Sequence, residues 1–199
     1  MRVTSIRWQG ILAAVLLSAG IANADFIVNV EQVGSNVVAT GSGSINTTGL
    51  TDEGFGPDFS PGVEPDEANL TLGVPHAHTF EYVSISGPSS FGSGGFVLAS
   101  SDTGDFVALD ESDSALLFAP TFVSGNPLSD SDTWDGTTLA GLGLTPGTYT
   151  WTWGTGVNAD SFIVNIGTVA TPEPEYPGVL LLVLGAMAAS QRRRARRRI

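Results

Sequence analysis

Cysteine and lysine are both absent from this chain of 199 residues, and its eight arginines are confined to the two ends. They are Arg2 and Arg7, then Arg192, Arg193, Arg194, Arg196, Arg197 and Arg198. Without cysteine there is no disulfide, no thiolate nucleophile and no cysteine-ligated zinc. Without lysine there is no Schiff-base chemistry. Between Asp25 and Thr171 stand 18 of the 20 acidic residues and no arginine, so His76 and His78 are the only cationic partners there. A segment of that charge cannot neutralise phosphates, which excludes nucleic acid as its partner. No serine stands in a G-x-S-x-G elbow, and 18 carboxylates single out no catalytic pair for glycoside hydrolysis. An enzyme is therefore not expected.

What is present begins at the termini. The first 24 residues join a basic start (Arg2, Arg7) to the apolar run Ile11–Leu17, then to Ala22-Asn23-Ala24. Basic, apolar and A-x-A in that order describe a secretory signal peptide rather than a buried helix, with cleavage after Ala24 leaving Asp25 first. Residues 171–199 hold Pro172-Glu173-Pro174, an apolar stretch predicted as a helix over 178–190, and six arginines within 192–198. At about 1.5 Å per residue that helix covers roughly 20 Å, short of the roughly 30 Å hydrocarbon core of a bilayer. A core helix would carry polar residues on one face, and Gly178–Ala189 carries none. The arginine cluster keeps the C-terminus cytoplasmic and the acidic body outside, the side to which the signal peptide also sends it. A nucleic-acid-binding tail is the other reading of the arginines, and an exported acidic body opposes it.

Pro172-Glu173-Pro174, the short apolar stretch and the arginine cluster together resemble the PEP-CTERM sorting signal of Gram-negative bacteria. Gly34–Leu50, Phe91–Phe96 and Gly143–Gly156 are similar to segments of PEP-CTERM proteins of unassigned activity. The resemblance implies passage through the secretion translocon and signal peptidase, then processing near the motif by an exosortase-like membrane protease. It implies a transient stay in the inner membrane, then delivery to the cell surface or an exopolysaccharide matrix. One departure is Glu175-Tyr176-Pro177, where family tails often place a small polar residue.

The body, residues 25–170, is long enough for one domain with its own core. Its periodicity is that of strands. Phe26, Val28 and Val30 alternate with Ile27, Asn29 and Glu31, and Gly34-Ser35 turns this run into Asn36–Thr40 as a hairpin. Thr79–Ser86, Gly95–Ala99, Asp105–Leu109, Thr148–Trp153 and Ser161–Ile166 are further strands. Many short strands between Gly, Pro and Asp turns predict an all-β, antiparallel sandwich, jelly-roll-like, flanked by the signal peptide and the C-terminal hydrophobic helix.

Three features of the body invite chemistry. Asp130, Asp132 and Asp135, followed by Gly136, resemble a calcium loop, though Trp134 occupies a ligand position and no glutamate closes the pattern. Asp102, Asp105, Asp110, Glu111 and Asp113 form a second acidic group, and a solvated acidic surface accounts for either. His76 and His78, with Glu81 or Asp66, could hold a transition metal. Tyr149, Trp151 and Trp153 share one face of a strand: exposed, they would stack on sugar rings, and buried, they would be core. The opposite row, Thr148, Thr150 and Thr152, is one strand of what an ice-binding face would need as an array. The expected function is that of a non-enzymatic surface or matrix protein, the alternative a secreted carbohydrate-binding module.

Overall fold

The computed structural model describes residues 25–167. The expected signal-peptide residues Ala22 and Ala24, the Pro172–Pro174 motif, the apolar stretch and the arginine cluster lie outside the described residues. Thirteen strands follow one another. They are β1 (Phe26–Val33), β2 (Asn36–Ser44), β3 (Thr51–Gly56), β4 (Gly62–Glu64), β5 (Asn69–Leu72), β6 (Thr79–Val83) and β7 (Val97–Leu98). Then come β8 (Ser101–Gly104), β9 (Val107–Asp110), β10 (Ala115–Phe118), β11 (Pro127–Trp134), β12 (Gly147–Trp153) and β13 (Asp160–Ile166). No helix among the described residues is long and apolar enough to cross a membrane.

The strands form two sheets, a six-stranded one in the order β12-β13-β1-β2-β11-β8 and a seven-stranded one in the order β3-β6-β10-β9-β5-β4-β7. The fold is an all-β sandwich. Its pairings are antiparallel except one: β1 and β13 run parallel, with Phe26 beside Phe162 and Val30 beside Ile166. The chain therefore enters the six-stranded sheet at one end, at Asp25, and leaves it at the opposite end, at Gly167. The expected hairpin is present, with Val33 opposite Asn36. Gly34 takes a φ of 63°, the left-handed first position that such a two-residue turn needs.

The inner face of the six-stranded sheet follows the period of two. Phe26, Val28 and Val30, Val37 and Ala39, Leu128 and Trp134, Trp151 and Trp153, and Phe162, Val164 and Ile166 all enter the core. The middle of the other sheet is buried on both faces. Leu116, Phe118, Val107 and Leu109 meet the main core, while Phe106, Ala108, Ala115, Leu117 and Ala119 form a second cluster on the outer side. Phe59, on the segment joining β3 to β4, packs on that outer cluster.

Candidate functional site

Asp130 and Asp132 do not belong to a loop. They occupy the inward positions of β11 between Leu128 and Trp134, so the strand reads apolar, acid, acid, apolar on its core face. Asp132 is fully buried, and both of its carboxylate oxygens accept from the Gly73 amide, at 3.1 and 3.3 Å. Gly73 follows β5 of the other sheet, so this contact ties the two layers together. Asp130 lies beside Gly41 of β2 and accepts from its amide at 3.0 Å. Its Oδ2 is buried without a hydrogen-bond partner. Gly41 must be glycine here, because an added Cβ would overlap the Asp130 carboxylate and come within 2.7 Å of Phe26 Cζ. Asp135 lies past the strand end, exposed, accepting from Asn36 Nδ2 at 2.8 Å. The loop geometry expected for these three aspartates is thus corrected: the strand period turns two of them inward and leaves the third outside.

Burial is the first cause that raises the Asp130 carboxyl to about 7 and the Asp132 carboxyl to about 8. The amides of Gly41 and Gly73 oppose this, and neighbouring acids add to it: Asp105 for Asp130, and Asp130 and Asp102 for Asp132. Asp102 stands directly opposite Asp132 across the β8–β11 pair. No arginine or lysine occurs among the described residues to offset these charges.

The aromatic row of β12 is core, not a platform. Trp151 is fully buried, its indole nitrogen donating to Glu111 Oε2 at 2.6 Å. Trp153 is buried and donates to the Asn46 carbonyl at 2.8 Å. Tyr149 is half-buried, its hydroxyl donating to the Thr145 carbonyl at 3.0 Å. The glycan-stacking role expected of an exposed row is therefore not available to the two tryptophans. Aromatic burial on the inner face of an edge strand takes them. Thr148, Thr150 and Thr152 are exposed, as one row.

Asp25, the residue expected to follow the cleavage site, stands just before β1, its Oδ1 accepting from Ser161 Oγ at 2.6 Å. Near that end of the sandwich the loops form an open cleft of about 330 Å³, lined by His76, Asp105, Thr121 and Asn126 among apolar neighbours that include Phe106 and Phe122. Its size is at the lower end of small-ligand pockets, about 300 Å³ upward. His76 lies edge-on to Phe106, with ring centroids 6.1 Å apart. His78, two residues on, lies edge-on to Phe55 at 6.3 Å. The two histidines thus serve two neighbouring aromatic contacts, and among the described residues no three His, Asp or Glu side chains converge as a metal would need. Phe55 in turn stacks on Phe80, with centroids 5.2 Å apart and rings 23° from parallel. The cleft and the shelf formed by the stacked Phe55 and Phe80 rings, joined by residues 76–78, make up the candidate site. Of its members the sequence had singled out only the histidines and Asp105.

Comparison of the chain with protein-family models, with curated proteins and with solved structures finds no match.

Proposed function

We propose that this chain is an exported, non-enzymatic surface or extracellular-matrix protein, sorted through its C-terminal tail by an exosortase-like system. One observation carries the proposal: Pro172-Glu173-Pro174, an apolar stretch and six arginines follow in order at the end of a chain that opens with a signal-peptide pattern. The body is compatible with life outside the cell. It holds itself together with a two-sheet core and no disulfide, and its charge keeps it soluble among polyanions. Signal peptidase cuts after Ala24. The tail then halts in the inner membrane with its arginines cytoplasmic until the exosortase-like protease acts near Pro172–Pro174, and the domain is released to the surface or to an exopolysaccharide matrix. The jelly-roll-like wrap belongs to this proposal as well. Long-range neighbours such as β2–β11 and β5–β9 are the kind of pairing it requires.

The test is an epitope tag inserted between Ser124 and Gly125, followed by cell fractionation with and without residues 171–199. The full chain is expected at the surface or in the matrix, and the truncated chain is expected to be mis-sorted. Full-length protein retained in the cytoplasm, or identical fates for both forms, would overturn the reading.

A further inference from the structure

Phe55 is 76% exposed, more than any other large hydrophobic side chain among the described residues. It is nonetheless held in place. Phe55 stands opposite Phe80 in the β3–β6 register, their rings stack, and the His78 edge meets it from the side. Thr51, Asp52 and Glu53 beside it on β3 are exposed and polar. The shelf is thus about one ring wide, too small for the apolar interface of a protein partner. The same face carries a charge. β3 bulges between Asp52 and Gly54, which places Asp52 opposite Tyr82 and Phe55 opposite Phe80. Tyr82 and Phe80 are i and i+2 on one strand, so the carboxylate row lies about 7 Å from the aromatic row. The Asp52 carboxylate is anchored there, its Oδ1 accepting from the Gly54 amide at 2.8 Å. Asp52 and Tyr82 face each other in the register, and burial together with that nearby charge raises the Tyr82 hydroxyl.

An exposed aromatic face takes the apolar face of a sugar ring, and it attracts a cation as well. A carboxylate one row away takes an ammonium group. With no lysine or arginine between Asp25 and Thr171, the domain repels uronate and phosphate sugars and draws cationic ones. We propose that the Phe55–Phe80 shelf with Asp52 is a binding subsite for glycans built of amino sugars with free ammonium groups. A neighbouring ring of the same glycan reaches past His78 and His76 into the cleft, where Asp105, Thr121 and Asn126 offer partners to its hydroxyls. The subsite does not depend on how the chain is exported.

Titration calorimetry on the purified full chain, with a hexamer of β-1,4-glucosamine as probe, tests the proposal. The tail arginines would attract a polyanion in the full chain, so the decisive comparison is between variants for one probe. Phe55→Ala leaves every charge in place and removes an exposed ring. It is expected to weaken binding about fivefold while the domain stays folded, the lost Phe80 stacking showing only as a small drop in melting temperature. Asp52→Asn is expected to weaken binding and to reduce its salt dependence, and the fully N-acetylated hexamer is expected to bind more weakly than the free amine. Unchanged affinity in Phe55→Ala would reduce the attraction to diffuse charge and overturn the proposal. Equal binding of the N-acetylated hexamer would overturn the amine requirement. A Phe55-dependent dimer without sugar binding would assign the shelf to a second copy of the chain instead.

Discussion

Asp130 and Asp132 are the residues whose environment departs furthest from that of an aspartate in water. Because their carboxyls titrate near 7 and 8 in the folded state and near 3.9 when unfolded, the native state binds the extra protons between those values. Their contribution to stability is complete below about pH 4 and is lost as pH rises through 7 to 8. Each group lowers unfolding free energy by up to about 1.4 kcal/mol per pH unit across that window. Thermal unfolding from pH 5 to pH 9 is expected to show a falling melting temperature. The double variant Asp130→Asn/Asp132→Asn is expected to flatten the slope, and an unchanged slope would place the titration elsewhere. Asp132→Ala is expected to cost about 1–3 kcal/mol at pH 5, because the buried Gly73 amide loses its acceptor. Gly41→Ala should cost about 1–3 kcal/mol by overpacking against Asp130 and Phe26, read from denaturant midpoints. None of this was legible in the sequence. Asp130, Asp132 and Asp135 beside Gly136 have the composition of a loop, and only the neighbouring strands β2 and β8 show that the stretch is a strand with its acids turned inward.

At the scale of the element, the period of two shows where one face is buried and its inward residues are apolar. β1, β2, β12 and β13 of the six-stranded sheet have one buried and one wetter face over most of their length, and their alternation is plain in the sequence. β9 and β10 are covered on both sides, so all four residues of each are buried and the alternation vanishes. β10 therefore shows only the apolar run Ala115–Phe118 and no period of two, while β9 overlaps the expected strand Asp105–Leu109. The aromatic face of β12 shows how far a pattern reaches: it states that Tyr149, Trp151 and Trp153 share a side, while the Phe91 and Phe162 rings packed against Trp151 state which side is inward. Trp151→Ala is therefore expected to cost about 3–5 kcal/mol, and Thr150→Ala, on the exposed face of the same strand, no more than about 0.5 kcal/mol. Paired urea titrations measure the contrast. The shelf was hidden in the opposite way. Phe55 stands in T-D-E-G-F-G-P-D without an apolar residue at i±2, and an isolated aromatic in a polar edge strand is the signal that could have marked it.

For the whole molecule, charge is the governing quantity. Eighteen carboxylates without a lysine or arginine among them repel one another, and His76 and His78 are the only side chains there that can offset them. Sodium chloride shortens the range of that repulsion from about 30 Å at 0.01 M to about 3 Å at 1 M. The melting temperature at pH 8 is expected to rise with salt, about 2–4 °C for each kcal/mol relieved, and to rise less at pH 4.5, where part of the charge is gone. A salt response equal at both pH values would remove repulsion as the cause. The parallel pairing of β1 with β13 adds a direction to the molecule: Leu128 of the cleft lies level with Gly43 and Phe26 at the Asp25 end, and Gly167 stands at the opposite end of the sheet.

The sequence by itself determined the all-β class, the β1–β2 hairpin, the absence of thiol and amine chemistry, and the sign of the body's field, because composition and a period of two are local properties of the chain. It also carries the two terminal patterns on which export and sorting are proposed. The tertiary structure decided which face of each strand meets the other sheet. That contact between distant residues turns the tryptophans and two aspartates inward and leaves Phe55 at the surface.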